Sequence, residues 1–215
     1  RVRRPIVGWA PYLRTKFDLR AAPVRTARLY VSGMGCGEYY INGQKISEDM
    51  IDPPMTNYNR EVLYRIYDVS RFLPAGGGRC ALAALLGEGW YAQSRVWAVG
   101  GFRYGDPCLC AQLEIVYEDG QTQTVATGTE GWFSKCSPIV LNNLYGGETY
   151  DARLETPDFA DPDGEEDGWS PVEADPVPKG ALKLCLMPPV RVIRTLPAQS
   201  VRQVSGKEDG AWIID

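Results

Sequence analysis

The sequence predicts an all-β fold, an antiparallel two-sheet sandwich with little helix, and three observations predict it. Apolar and polar residues alternate with a period of two in several separate runs. Turn dipeptides fall between those runs. No stretch sustains a 3.6-residue period for three turns. The 215 residues, 44% of them hydrophobic, suffice for one large β-domain or a domain with part of another.

The elements follow in chain order. Leu13, Thr15, Phe17 and Leu19 alternate with Tyr12, Arg14, Lys16 and Asp18, which gives a strand over 12–19 with one buried face. Ala27, Leu29 and Val31 do the same in 26–32, and Val62, Tyr64 and Ile66 in 61–67. Asn42-Gly43, between Tyr39–Ile41 and Gln44–Ile46, is a two-residue hairpin signal. Val69–Leu73, after Asp68, suggests a helical turn with Ser70 as its cap. Cys80–Leu86 is apolar throughout and reads as a central strand buried on both faces, or a short buried helix. In 109–117, Leu109, Ala111, Leu113, Ile115 and Tyr117 alternate with Cys110, Gln112, Glu114 and Val116, and Asp119-Gly120 offers a second hairpin. Ala181–Met187, Val190–Leu196 and Gly210–Asp215 read as trailing strands. The expected division is a sandwich over 1–180, including a loop over 154–180, followed by trailing strands and the start of another β-domain over 181–215. Residue 1 is Arg and no apolar leader follows, so the start is expected to be a cut inside a longer chain.

Charge excludes some functions. The net charge of −4 argues against a protein that binds nucleic acid by neutralising phosphates. No run approaches 18 uncharged apolar residues, so no membrane span is expected. Residues 158–175 hold eight acids and no base, which reads as a solvated loop, and the remainder carries +4 by the same count. Pro157, Pro162, Pro171, Pro176 and Pro178 argue against regular strands or helices over 154–180.

The absence of histidine removes the commonest general base, any Ser-His or Cys-His nucleophile pair, and most zinc and copper sites. None of the six cysteines forms a C-x-x-C pair, so no thiolate metal site is expected. Cys108 and Cys110 share a strand face at roughly 7 Å, too far for a relaxed disulfide. Mostly free thiols are expected, which slightly favours a cytoplasmic location. Asp161-Pro-Asp163-Gly164 is a superficial calcium signal without the spacing of a calcium loop, so calcium is retained only as a minor candidate.

Asn142–Arg153 is the stretch richest in chemistry, with two amides, two carboxylates, a guanidinium and two tyrosines. Carboxylates and amides hydrogen-bond to vicinal hydroxyls, and aromatic faces cover the apolar patches of a sugar ring. The competing reading is an Asp/Glu–Arg network that pins a sheet edge. Glu148, Asp151 and Arg153 are the expected charge-assisted network, with Asn143 and Tyr145 beside it. Gly87-Glu88-Gly89-Trp90-Tyr91, followed by Arg95 and Trp97, offers a stacking platform or a plug for one end of the sandwich. Glu88, Glu148 and Asp151 would serve as a glycosidase pair only if folding brought them into one cleft. No catalytic residue is assigned. The candidate substrate-binding residues are Trp90, Tyr91, Trp97, Asn143, Tyr145, Glu148, Asp151 and Arg153.

An ordered set of motifs resembles a known family. Ala27–Gly33, Tyr39–Gly43, Tyr64–Val69, Leu86–Tyr91, Tyr117–Gly120, Tyr145–Arg153 and Gly168-Trp169 resemble the N-terminal β-sandwich region of bacterial α-L-rhamnosidases, glycoside hydrolase family 78. The resemblance covers about 10–195, and Gly-Glu-x-Tyr-Asp-Ala-Arg at 147–153 is its most specific part. It implies a jelly-roll-like, galactose-binding-like sandwich placed ahead of an (α/α)6 barrel that removes terminal L-rhamnose by inverting hydrolysis. This chain then becomes a non-catalytic accessory domain that packs on that barrel and shapes its cleft. The alternative is an autonomous L-rhamnose-binding module, calcium-assisted as in some relatives. The partners implied are a rhamnose-containing glycan and the C-terminal catalytic domain of the same polypeptide. Gly146-Gly147 stands where many relatives have Asp-Gly, which removes one carboxylate from that turn.

Overall fold

The structure, a computed structural model, describes residues 2–3, 9–93, 102–174, 180–204 and 211–215. The first strands are β1 (Val2–Arg3), β2 (Pro11–Leu19), β3 (Val24–Met34), β4 (Cys36–Ile41), β5 (Gln44–Lys45), β6 (Glu61–Asp68) and β7 (Gly78–Gly87). Next come β8 (Ala92–Gln93), β9 (Phe102–Arg103), β10 (Cys108–Tyr117), β11 (Thr122–Ala126), β12 (Trp132–Cys136), β13 (Ile139–Asn143) and β14 (Gly147–Tyr150). The last are β15 (Ser170–Pro171), β16 (Glu173–Ala174), β17 (Ala181–Leu184), β18 (Val201–Gln203) and β19 (Trp212–Ile214). The only helical elements among the described residues are single 3₁₀ turns at Ser70–Phe72 and Ala152–Leu154.

Two sheets form the sandwich. One has the order β16-β1-β10-β3-β6-β17, with β11 also on β10; the other has the order β15-β12-β2-β7-β4-β5. All pairs within them are antiparallel except β17 on β6, which is parallel. Leu13 and Leu19 of β2, Leu82, Ala84 and Leu86 of β7, Leu29 and Val31 of β3, and Leu109, Leu113 and Ile115 of β10 meet in one core. Each such Leu or Ile, fully buried, contributes about 1.5–3 kcal/mol. The apolar run at 80–86 is a central strand, paired with β2 on one side and β4 on the other.

The Asn42-Gly43 turn follows the sequence signal. Both residues have positive φ, 49° and 79°, as a two-residue hairpin with the right twist requires. At Asp119-Gly120 the connection is one residue longer. Tyr117 N–H donates to Gln121 C=O, and Gly120 takes the left-handed position at φ 82°. Ser70 is not a helix cap: its hydroxyl accepts from Ala27 N–H, while Asp68 Oδ1 accepts from Ser70 N–H and Oγ–H.

In β6 the face expected to be buried is the outer one. Tyr67 packs against the core and Leu63, on the same face, is buried, whereas Ile66 is 40% exposed. Val62 on the outer face is nevertheless buried, because Met34, Tyr58, Tyr91, Ala92 and Cys108 form a second small cluster over that end of the sheet.

The acidic segment is not a free loop. Phe159 stacks on Tyr12 at 4.0 Å and meets Tyr40 edge-on at 4.9 Å. Arg14, on the polar face of β2, is 2% exposed beneath it. Its guanidinium lies 4.0 Å from the Trp169 ring centroid, donates to Glu165 C=O at 2.8 Å and Phe159 C=O at 3.4 Å, and pairs with Glu166 at 3.5 Å. Lys16 reaches Gly164 C=O and the Glu166 carboxylate. Asp158 and Asp161 accept from the backbone N–H groups of Glu165 and Asp163. Glu165 and Asp167 remain exposed, while the carbonyls of Gly164 and Glu165 and the Glu166 carboxylate take the cations of β2. The same segment supplies the edge strands β15 and β16, one to each sheet. Pro171 is tolerated there because an edge strand needs only one side of its ladder.

Only Ala181–Leu184 of the stretch 181–187 is a strand, and 190–196 forms just a bridge from Val190 to Met50. Trp212–Ile214 pairs with Val201–Gln203 in a separate exposed hairpin. Of 175–180, only Gly180 lies among the described residues. No helix among the described residues is long and apolar enough to cross a membrane.

Candidate functional site

At one end of the sandwich the β13–β14 hairpin lies over the end of β7 and the turn that follows it. Glycines permit this approach. A Cβ at Gly87 would stand 2.5 Å from Asn142 Oδ1, and one at Gly89, where φ is 47°, would overlap the backbone of Gly35. Gly87 thus leaves room for the Asn142 side chain and Gly89 for the backbone between β3 and β4, with Glu88 between the two contacts.

Glu88 is 4% exposed and Asn143 is 5% exposed. Asn143 Nδ2 donates to Glu88 Oε2 at 3.0 Å, while Asn143 Oδ1 accepts from the backbone N–H groups of Tyr145 and Gly146, which closes the hairpin loop. Asn142 Oδ1 accepts from Glu88 N–H at 3.1 Å, and its Nδ2 donates to Glu148 Oε2 at 3.3 Å. Two amides and two carboxylates thus form one chain of hydrogen bonds. It borders a cleft of about 280 Å³, lined also by Cys36, Glu38, Met50 and Ile51. Burial pushes the Cys36 thiol up to about 11, so it stays protonated at neutral pH. Outside the cleft lining, Trp90 meets Tyr145 edge-on at 6.4 Å.

The structure divides the candidate residues into groups. Asn143 and Glu148 line this cleft, and Tyr145 and Trp90 touch each other beside it, Tyr145 through its backbone bond to Asn143. Tyr91 does not: it is 2% exposed, packed edge-on against Tyr58 at 5.0 Å and parallel to Tyr104 at 6.0 Å. Trp97, with Arg95, lies outside the described residues. Asp151 and Arg153 pair with each other and do not join Glu148. Asp151 Oδ1 accepts from Arg153 N–H at 3.1 Å and Nε–H at 2.8 Å, across a side chain that is 88% exposed. The Arg153 guanidinium holds the Asp151 carboxyl down at about 2. This element caps the second 3₁₀ turn, so the expected three-residue network is a local Asp–Arg pair. Asn142 is the member that sequence reasoning omitted from the site, and Glu88 was weighed only as half of a carboxylate pair. The glycines flanking Glu88 were the available signal, since they mark where another segment must come close. Among the described residues, no group of three or more His, Cys, Asp or Glu side chains is gathered to hold a metal ion.

Comparison with known proteins places this architecture. A family model described as the alpha-L-rhamnosidase N-terminal domain matches residues 22–194. The chain belongs to the α-L-rhamnosidase N-terminal domain family. An α-L-rhamnosidase of Streptomyces avermitilis is 36% identical over 213 residues, which are 98% of this chain and 20% of the relative. One from Formosa agariphila is 31% identical over 211 residues, 96% of this chain and 21% of the relative. The chain therefore spans about a fifth of the length of these rhamnosidases. Among solved structures, the S. avermitilis α-L-rhamnosidase complexed with L-rhamnose superposes with a TM-score of 0.86 at 34% identity, over 98% of this chain and 20% of that one. The native Aspergillus terreus enzyme gives 0.82 at 27% identity, over 100% of this chain and 24% of that one.

Proposed function

We propose that this chain is the non-catalytic N-terminal β-sandwich of an α-L-rhamnosidase, and that it packs on the catalytic part and shapes the cleft that receives a rhamnose-containing glycoside. One observation carries the reading beyond family membership. The hairpin that bears Asn142, Asn143 and Glu148 also exposes Leu144, Tyr145 and Tyr150, at 36%, 54% and 52%. Large half-exposed apolar side chains set beside an ordered amide–carboxylate chain suit a surface that meets another surface.

A second reading has its own support: Trp90 and Tyr145, in contact beside the cleft, and Asn142 and Glu148, which line it, are the side-chain types that grip a sugar ring. Calorimetry on residues 1–215 separates the two. No heat with millimolar L-rhamnose, and no hydrolysis of an aryl rhamnoside, are expected. In a full-length rhamnosidase carrying this domain, Tyr145→Ala is expected to raise KM for a rhamnosyl oligosaccharide severalfold with little change in kcat. Heat with rhamnose that Glu148→Gln abolishes would instead establish the autonomous binding module, and turnover by 1–215 alone would sink both.

A further inference from the structure

The outer face of the β10-containing sheet carries a groove that the preceding reading leaves unused. It holds about 650 Å³, within the range of ligand sites, and its lining includes Tyr30, Tyr64, Gln112, Glu114, Ala126 and Leu182. Strand register explains the floor. Tyr30 pairs with Gln112 on one side and with Ile66, two residues from Tyr64, on the other, and Leu182 pairs with Val62, two residues before Tyr64. These residues therefore share one face.

The rings of Tyr30 and Tyr64 sit 6.4 Å apart, tilted by 48°, and neither hydroxyl has a hydrogen-bond partner among the described residues. Beside them Gln112 Nε2 donates to Glu114 Oε1 at 2.7 Å, which leaves the second amide proton, the amide oxygen and the other carboxylate oxygen free to bond outward. Ser32, two residues on from Tyr30 and paired with Cys110 of the lining, is fully buried with its hydroxyl unpartnered. The lining holds one carboxylate and no basic side chain; Arg28 stands opposite Glu114 in the ladder but outside the groove.

We propose that this groove is a second saccharide site, for a neutral oligosaccharide chain, distinct from the cleft at Glu88 and Asn142. Two tyrosine faces cover the apolar C–H patches of successive sugars, while free phenol, amide and carboxylate groups bond to their hydroxyls. An acidic glycan is disfavoured, because its carboxylates would meet Glu114 with no lining cation to offset it. The inference rests on the rhamnosidase reading only for the choice of sugar.

The test is an amide-resolved NMR titration of residues 1–215 with an α-L-rhamnosyl trisaccharide, cellohexaose and hexagalacturonate. Either neutral chain is expected to shift the amides of Tyr30, Tyr64, Gln112 and Ala126, and hexagalacturonate is not. Tyr30→Phe with Tyr64→Phe, which removes only two hydroxyls, is expected to raise Kd at least fivefold without moving the rest of the spectrum. Binding of cellohexaose but not of the rhamnosyl chain keeps the groove and counts against the rhamnoside reading. Shifts confined to residues 36–38 and 142–148 overturn the groove and leave that reading in place. Failure of both neutral chains to shift the groove, equal binding of the acidic chain, or an unchanged Kd in the double variant also overturns it.

Discussion

The two outer faces of the sandwich begin from the same pattern and end differently. On β2 the polar set Tyr12, Arg14, Lys16 and Asp18 alternates with core residues, and on β10 Cys110, Gln112, Glu114 and Val116 do the same. Yet Arg14 is 2% exposed under the 158–169 segment, while Gln112 stands open beside a groove. Alternation assigns side chains to a face. Whether that face is wet depends on which distant segment lands on it, and here that segment arrives about 145 residues later. Its carbonyls and Trp169 ring accept a guanidinium that local sequence would leave in water.

The largest expected effect tests the covered face. Arg14→Ala leaves the carbonyls of Phe159 and Glu165 without their donor and removes packing under Trp169. A loss of about 3 kcal/mol is expected in denaturant unfolding, against no more than about 1 kcal/mol for Tyr30→Ala on the open face. Equal losses would mean that the two faces are alike. A smaller effect, about 1–3 kcal/mol, is expected for Asn143→Ala, which withdraws a buried donor from Glu88 and the acceptor of two loop amides. It should also loosen the hairpin loop, seen as faster hydrogen exchange at the Tyr145 and Gly146 amides.

Least of all is expected of Arg153→Ala. The Asp151 carboxyl, held at about 2 by the guanidinium, should move up towards about 4 in an NMR titration, while the melting temperature at pH 7 falls only slightly because the pair is exposed. A depressed carboxyl stabilises above its unfolded value and loses that contribution as pH falls through the folded one, so the small contribution of this exposed pair is present above about pH 4 and fades between about pH 4 and pH 2. A clear drop in melting temperature at pH 7 would show that charge count outweighs burial, contrary to the contrast with Arg14.

Much of the architecture was legible in the chain. The runs at 12–19, 26–32, 61–67 and 109–117 are β2, β3, β6 and β10, because a period of two has few other physical uses, and the wholly apolar run at 80–86 is the central strand β7. Local pattern failed where a cover decides. Val62, Tyr64 and Ile66 alternate as a core face should, but Tyr67, on the opposite face, is the β6 residue that packs on the main core. The site was half legible. Asn143, Tyr145, Glu148 and Trp90 converge, but Asp151 and Arg153 satisfy each other two residues apart before any distant partner can compete.

Sequence alone determined the strand inventory, the Asn42-Gly43 hairpin and the family, since each rests on residues near one another or on motifs in fixed order. Tertiary structure decided which polar face is dry, which carboxylate meets which amide, and that an acidic, proline-rich segment supplies an edge strand to each sheet. Those outcomes depend on contacts between residues far apart in the chain, where desolvation and hydrogen-bond geometry act and local pattern carries no information.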